Sequence, residues 1–378
     1  MIAGRSVRTS VGALLVFAVL VGACGSARAA PAAESKRPNE RLNALIAAAR
    51  EEGQLSLSWT AGYLDARAEL DRYAAGFNKA YGLDLKVRFV AAGTAGESAA
   101  RLLEETQAGQ PAFTDVFLGT EAQITTLARG AALSPELWSA WAPNIGNLKI
   151  VAPGGIAVQV QTRIPGITYN SQRLVGADIP RSLNDLLRPR FRGKVATTPD
   201  VATLDRLASP DVWAPDKAMS FVRKLAPQIG GVMQCGDEDR IVSGEFEAFV
   251  YDCGSARVAQ LKAEGALIGW SVPADGAFLR YLYMGVPKKA AHPNAARLWL
   301  NFMLSREAQD IMFQHEYADH HLLAGSRAFV EVDRATKSGV KFYELTVEVL
   351  QTEEARGFRP AAPEMQTILL RGIPPVRK

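Results

Sequence analysis

The chain has 378 residues, enough for two domains that each bury a core, and its 48% hydrophobic and 22% charged residues mark it as globular rather than disordered or fibrous. Its net charge of +4 comes from 43 basic and 39 acidic residues scattered along the chain. No basic stripe offers a phosphate backbone a footprint, so no nucleic-acid partner is expected.

Arg5 and Arg8 precede an apolar run from Val11 to Ala23, broken only by glycines. At 13 residues the run is too short for a bilayer span, which needs roughly 20, and it suits the core of a signal peptide. It ends in Val21-Gly22-Ala23-Cys24, which resembles the lipobox of bacterial lipoproteins. Small side chains fit the peptidase site there, and the Cys24 thiol takes the lipid. Ala27-Arg28-Ala29 is the competing cleavage site of a soluble secreted protein. On either reading the protein is exported, to the periplasm or the extracytoplasmic face of a membrane. Residues 1–23 are read as the signal peptide and 24–38 as a lipoprotein tether, rich in Ala, Pro, Ser and charge.

Asn39 is placed to cap a first helix, with Leu42, Leu45, Ile46 and Ala49 at helical spacing and Gly53 as its stop. Leu55, Leu57 and Trp59 alternate as in a strand and end at Thr60-Ala61-Gly62. A second helix uses Leu70, Tyr73, Ala74 and Phe77. Leu85, Val87 and Phe89 alternate again, ending at Gly93-Thr94-Ala95-Gly96. A third helix carries Leu102 and Leu103, and Asp115 to Leu118 is a short buried strand. This βαβαβ alternation predicts a mainly parallel sheet flanked by helices. Ligands of such sheets bind beyond the carboxyl ends of the strands, which nominates the loops at Thr60–Tyr63, Gly93–Ser98 and Gly119–Glu121. The second loop enters a helix whose free N–H groups suit an anion, with an ordinary N-cap as the competing explanation.

From Gln159 to Tyr169 the pattern turns extended around Pro165-Gly166, and a new α/β alternation follows. It comprises the strand Lys194–Thr197, a helix near Asp216–Leu225, the strand Phe249–Tyr251 and an extended stretch Trp270–Pro273. The stretches around 159–169 and 270–273 read as crossovers. Lobe 1 is therefore expected to be discontinuous, 39–158 and 274–345, and to include the helix Pro293–Leu304. Lobe 2 spans 159–273, and a C-terminal segment, 346–378, packs on the lobes. A small-solute site is expected in the cleft between them. With Cys24 lipidated, Cys235 and Cys253 are an even pair in an oxidising compartment. A disulfide joining them closes a loop worth about 3 kcal/mol; two unpaired, partly buried thiols are the alternative.

Six stretches carry a family resemblance. They are Ala49-Arg50-Glu51-Glu52-Gly53, Thr114-Asp115-Val116-Phe117, Ile167-Thr168-Tyr169-Asn170, Pro180 to Leu186 continuing through Pro189 to Gly193-Lys194-Val195, His292-Pro293-Asn294-Ala295-Ala296, and Leu304 to Gln309. In this order, over roughly residues 45 to 310, the set resembles the ferric-iron-type extracellular solute-binding proteins of bacterial ABC transporters. The resemblance implies a two-lobed type II periplasmic-binding-protein fold, closure about a hinge and delivery to an ABC permease in the inner membrane. One departure bears on the ligand. Iron binders of the family carry two adjacent tyrosines about ten residues after a Gly-Glu pair, whereas after Gly244-Glu245 this position holds Gly254-Ser255, with Tyr251 as the nearby tyrosine. A small organic solute is expected instead, an anionic one suiting the hydroxyl and N–H groups there; ferric iron bound as a chelate is the variant.

The expected ligand set is Thr60, Tyr63, Gly93, Thr94, Thr120, Tyr169, Thr197, Tyr251, Asp252, Ser255 and Arg280. Tyr63 and Tyr251 lead it because tyrosine joins an apolar face to a hydrogen-bonding tip. Arg280 suits a bidentate anion, with a structurally paired arginine as the alternative. Tyr281 and Tyr283 share a strand face and read as core, and His292 reads as a helix start. His315, His320 and His321, near Glu316 and Asp319, lack metal-motif spacing and read as a solvated helix end or loop, so no metal is assigned. No nucleophile elbow, phosphate loop or Cys-x-x-Cys pair is present. A monomeric binding protein without catalysis or cofactor is expected; a secreted metal-dependent enzyme built on the histidines is the reading from another class.

Overall fold

A computed structural model describes residues 38–60, 63–64, 67–146, 149–201, 203–356, 361–371 and 373. The leader, the lipobox and Cys24 lie outside the described residues.

Helix α1 (Pro38–Glu52) begins one residue before Asn39, so Asn39 lies in its first turn rather than at its cap. It stops at Gly53, whose φ of 68° ends the helix. Strand β1 (Gln54–Leu57) follows, buried at alternate residues, then α2 (Arg67–Tyr81), β2 (Lys86–Phe89), α3 (Ala95–Gln107), β3 (Phe117–Thr120) and α4 (Glu121–Arg129). β1 and β2 pair in parallel, and Leu57 bridges Val116 in parallel, giving the expected βαβαβ arrangement. β3 starts two residues later than expected, although Asp115 N donates to Ser56 O at 2.8 Å and Val116 bridges Leu57, while the Asp115 side chain makes contacts of its own. Its Oδ2 accepts from Ser56 N at 2.8 Å and its Oδ1 from His292 N at 2.9 Å, pinning β1 to the start of a later helix.

Strands β4 (Val158–Arg163) and β5 (Ile167–Asn170) then carry the chain into a second sheet. β6 (Val195–Thr197), α5 (Ala214–Leu225), β7 (Ile229–Val232), α6 (Asp239–Val242), β8 (Ala248–Val250), α7 (Ser255–Ala263) and β9 (Ile268–Ser271) complete it. Its order is β7-β6-β8-β5-β9, parallel where β6 meets β7 and β8, antiparallel where β5 meets β8 and β9. The long strand β10 (Ala277–Gly285) returns to the first lobe, antiparallel to β3 and β4. The β1–β2 pair is parallel, while the four-stranded sheet around β10 and the five-stranded sheet are mixed: crossover helices make the parallel pairs, and the two passes between the lobes insert strands of opposite sense.

Helices α8 (Pro293–Met303), α9 (Arg306–Glu316) and α10 (Arg327–Lys337) follow, then β11 (Phe342–Glu344), α11 (Val347–Ala355) and α12 (Ala362–Leu369). One core joins Trp59, Tyr73, Phe77, Trp299 and Phe302 around β1, α2 and α8. A second joins Phe191, Val222, Tyr251 and Phe278 beneath the second sheet, with Met365 and Leu369 of α12 packed into it. Tyr281 and Tyr283 are buried in a third core with Phe117, Leu127 and Val347.

Candidate ligand cleft

Between the lobes lies a cavity of about 490 Å³. The first lobe contributes Tyr63, Glu69 at the start of α2, His315 and Glu316 at the end of α9, and Arg327. Gln161, Thr162 and Arg163 of β4 form part of the wall. The second lobe contributes Cys235, Gly236, Glu238 and the turn Cys253-Gly254-Ser255-Ala256-Arg257 that opens α7.

That turn is held from several sides. Cys235 and Cys253 form a disulfide with Cα atoms 5.6 Å apart, tying the loop after β7 to the start of α7. Gly254 has a φ of 119°, open to glycine and strained for other residues, and it donates its N–H to Asp252 Oδ1 at 3.0 Å. Among the described residues no side chain caps α7. The first N–H groups of a helix have no intrahelical acceptor, and here they belong to residues that line the cavity. With the positive end of the helix dipole they favour an anion at this point.

Three arginines surround it. Arg163 donates through Nε (3.2 Å) and Nη2 (2.8 Å) to the Cys253 carbonyl, and its guanidinium carbon lies 5.8 Å from the Tyr63 ring centroid. Arg257 donates Nη1 to Gln260 Oε1 at 2.8 Å, while its Nε faces Glu238 Oε2 at 3.6 Å without a hydrogen bond. Burial pushes the Glu238 carboxyl above the ordinary carboxylate range, against the pull of its backbone contacts and Arg257. Arg327 donates Nη1 to Ser255 Oγ and to Glu331 Oε1, each at 2.7 Å, and Ser255 Oγ donates to Glu331 Oε2 at 2.6 Å. This triad stitches α7 of the second lobe to α10. The acids of the wall have internal partners: Glu316 accepts from Leu64 N and Gln161 Nε2, and Glu69 accepts from the Tyr73 hydroxyl.

Of the expected ligand set, Tyr63 and Ser255 line this cavity, as do Cys235 and Cys253. The others fall elsewhere. Tyr251 is fully buried in the second core and donates its hydroxyl to Gly276 O at 2.6 Å. Asp252 is a buried structural acceptor for Gly166 N, Gly254 N and Thr168 Oγ1; burial pushes its carboxyl up to about 6. Tyr169 rests its ring on Gly269 in the second sheet. Arg280 is paired internally, giving Nε and Nη2 to Glu121 Oε1 (3.1 and 2.7 Å) and Nη1 to Thr203 Oγ1 at 3.3 Å. Thr120 is the N-cap of α4 beside that pair, and Thr197 is buried. Thr60 donates to Gly93 O at 2.9 Å, and Gly93 lines a separate recess at the β1–β2 edge. Thr94 caps α3 in a capping box with Glu97, whose carboxylate takes the place offered to an anion.

The histidines also differ from expectation. His320 is fully buried and His321 nearly so, stacked with centroids 5.2 Å apart and with His320 6.0 Å from Tyr281. Leu322 N donates to His320 Nδ1 at 3.2 Å, and burial pushes the His320 pKa down to about 3, so the ring is a neutral core group. Residues absent from the expected set are Gln161, Arg163, Glu238, Arg257 and Arg327. The available signal was the polar run Gln159-Val160-Gln161-Thr162-Arg163, unusual for a strand crossing between cores.

Two α/β lobes meeting over a cavity lined by polar and charged side chains among apolar surface are the arrangement of a solute-binding protein. The profile of the family described as bacterial extracellular solute-binding protein matches residues 131–324, just over half the chain, and the chain belongs to that family. Among solved structures it is similar to iron-bound HitA from Pseudomonas aeruginosa: 19% identity, 84% of this chain and 98% of that chain covered, TM-score 0.63. The substrate-binding protein of an ABC transporter from Agrobacterium tumefaciens is similar at 17% identity, covering 85% of this chain and 96% of that one, TM-score 0.63. The periplasmic binding protein AfuA from Actinobacillus pleuropneumoniae, solved with exogenous fructose-6-phosphate bound, is similar at 21% identity over 70% of this chain and 83% of that one, TM-score 0.56. At these identities the likeness establishes the fold. No curated protein matches the chain.

Proposed function

We propose that this protein is the extracytoplasmic receptor of an ABC importer and holds a small organic solute, bearing one carboxylate or phosphate group, between its lobes. The observation that carries the reading is the uncapped start of α7 opening, with Arg163 and Arg257, into the interlobe cavity. Arg257 lines the cavity with its Nε facing Glu238 Oε2 at 3.6 Å, so its guanidinium adds positive charge beside the helix start while staying ion-paired. Tyr63 supplies an apolar face for the rest of the solute. Contacts from both lobes favour a closed form, and a permease reads that form as the loaded state. The lobes divide as 39–158 with 274–345, and 159–273, with the segment after 345 packed against both. Cys24 carries the lipid that keeps the receptor at the membrane, and the receptor acts as a monomer without cofactor or catalysis.

The family likeness supports solute capture, and the similar structures include one solved with iron bound and one with exogenous fructose-6-phosphate bound. A thermal-shift screen against carboxylates, phosphonates, sugar phosphates, polyamines, neutral sugars and ferric citrate tests the reading. A solute at 100 times its dissociation constant adds about 2.7 kcal/mol of stability. A shift with one anionic class, lost in Arg257→Ala, is expected. A shift with polyamines or neutral sugars and none with anions overturns the anionic reading; a response to ferric citrate with none to citrate alone replaces it with a chelate.

A further inference from the structure

Behind the Ser255–Arg327–Glu331 triad lies a second cavity, of about 840 Å³. It shares Ser255 and Arg327 with the interlobe cavity, so the triad is a common wall. One side is α7 and β9; the other is α10 and the chain that follows it.

Its lining is amphipathic. Val258, Trp270 and Val340 give it an apolar floor, the Trp270 indole lying against Gly166 where no side chain intervenes. Arg181, Lys262 and Arg334 line it as well, all exposed, and no carboxylate among the described residues pairs with any of them. The one acid of the lining, Glu331, is already engaged by Arg327 and Ser255. Three unanswered positive charges around an indole and two valines set a definite chemistry: an apolar body with a single anionic head.

We propose that this second cavity is a separate binding site for an amphipathic carboxylate. Its apolar chain lies on Trp270, Val258 and Val340, and its head group meets Lys262 and Arg334.

The test is calorimetric titration of the protein with octanoate, with octan-1-ol and inorganic phosphate as single-feature controls. Saturable one-to-one octanoate binding is expected, with a negative heat-capacity change from apolar burial. Each control should bind about tenfold more weakly or worse. The double charge reversal Lys262→Glu with Arg334→Glu, at exposed positions, should weaken octanoate by about tenfold; both residues lie in the last turns of α7 and α10, so a small drop in melting temperature with a transition that stays cooperative is expected. No saturable octanoate binding overturns the proposal. So does octan-1-ol binding as tightly as octanoate, or octanoate binding that ignores the charge reversal.

Discussion

Arg163, on the strand that crosses between the lobes, donates two hydrogen bonds to the carbonyl of Cys253, the residue whose disulfide anchors the start of α7. A crossover strand, a covalent bridge and a helix N-terminus are thereby fixed to one another at the wall of the cavity. This matters for binding because each restraint is in place before a solute arrives, so less ordering remains to oppose association.

Arg163→Ala removes a cation from the cavity and releases the Cys253 carbonyl. Charge-assisted hydrogen bonds of this kind correspond to about 10- to 100-fold in affinity, and that loss is expected for the solute found in the screen. Arg163→Lys should recover only part of it, since an ammonium lacks the two-pronged geometry. The solute concentration at half-maximal thermal shift is the measurement.

Replacing both bridge cysteines, Cys235→Ser with Cys253→Ser, should lower unfolding stability by about 3 kcal/mol, the loop-closure value for a separation of 18 residues. Urea unfolding reads this directly. A thiol reductant should destabilise the parent to the same degree and leave the double variant unmoved.

Asp252 predicts a pH dependence of defined sign. Its folded pKa is raised to about 6 from an ordinary 3.8, so the native state binds the proton more tightly than the unfolded chain. The stability from this group is full below about pH 4 and is lost as pH rises through 6, by about 3 kcal/mol. Asp252→Asn keeps an acceptor for Gly166 N and Gly254 N and does not titrate. The difference in melting temperature, parent minus variant, should therefore fall between pH 4 and pH 7; a flat difference would show that Asp252 is ionised without cost in the fold.

Thr94→Ala removes the N-cap of α3 and should cost about 1 kcal/mol of stability. Thr94 is not part of the interlobe wall, so solute affinity should not change. Chemical unfolding and the solute titration together check the two halves of this expectation.

The first lobe's architecture was legible because its signals are local. The periodicity of Leu42, Leu45 and Ile46, the stop at Gly53 and the alternation of Leu55 with Leu57 each act within one element, and the elements appear where these patterns put them. The role of Asp115 was not legible, because its carboxylate accepts from Ser56 N and His292 N, 59 and 177 positions away in the chain. The histidines show the same limit. Their spacing reads as polar surface, while the fold stacks His320 beneath Tyr281 in a core.

By itself the sequence determined the α/β alternation and the even cysteine pair, and it named Tyr63 and Ser255, which line the cavity, since these depend on composition and on residues close along the chain. Tertiary structure alone decided which polar groups remain available. Tyr251, Asp252 and Arg280 carry the right chemistry for a ligand, yet the fold spends them on Gly276, Gly166 and Glu121. Arg163 and Arg257 carry no motif and reach the cavity because β4 and α7 converge there. A side chain's chemistry is written in its own residue; its free hydrogen-bonding capacity depends on neighbours that only the packed chain supplies.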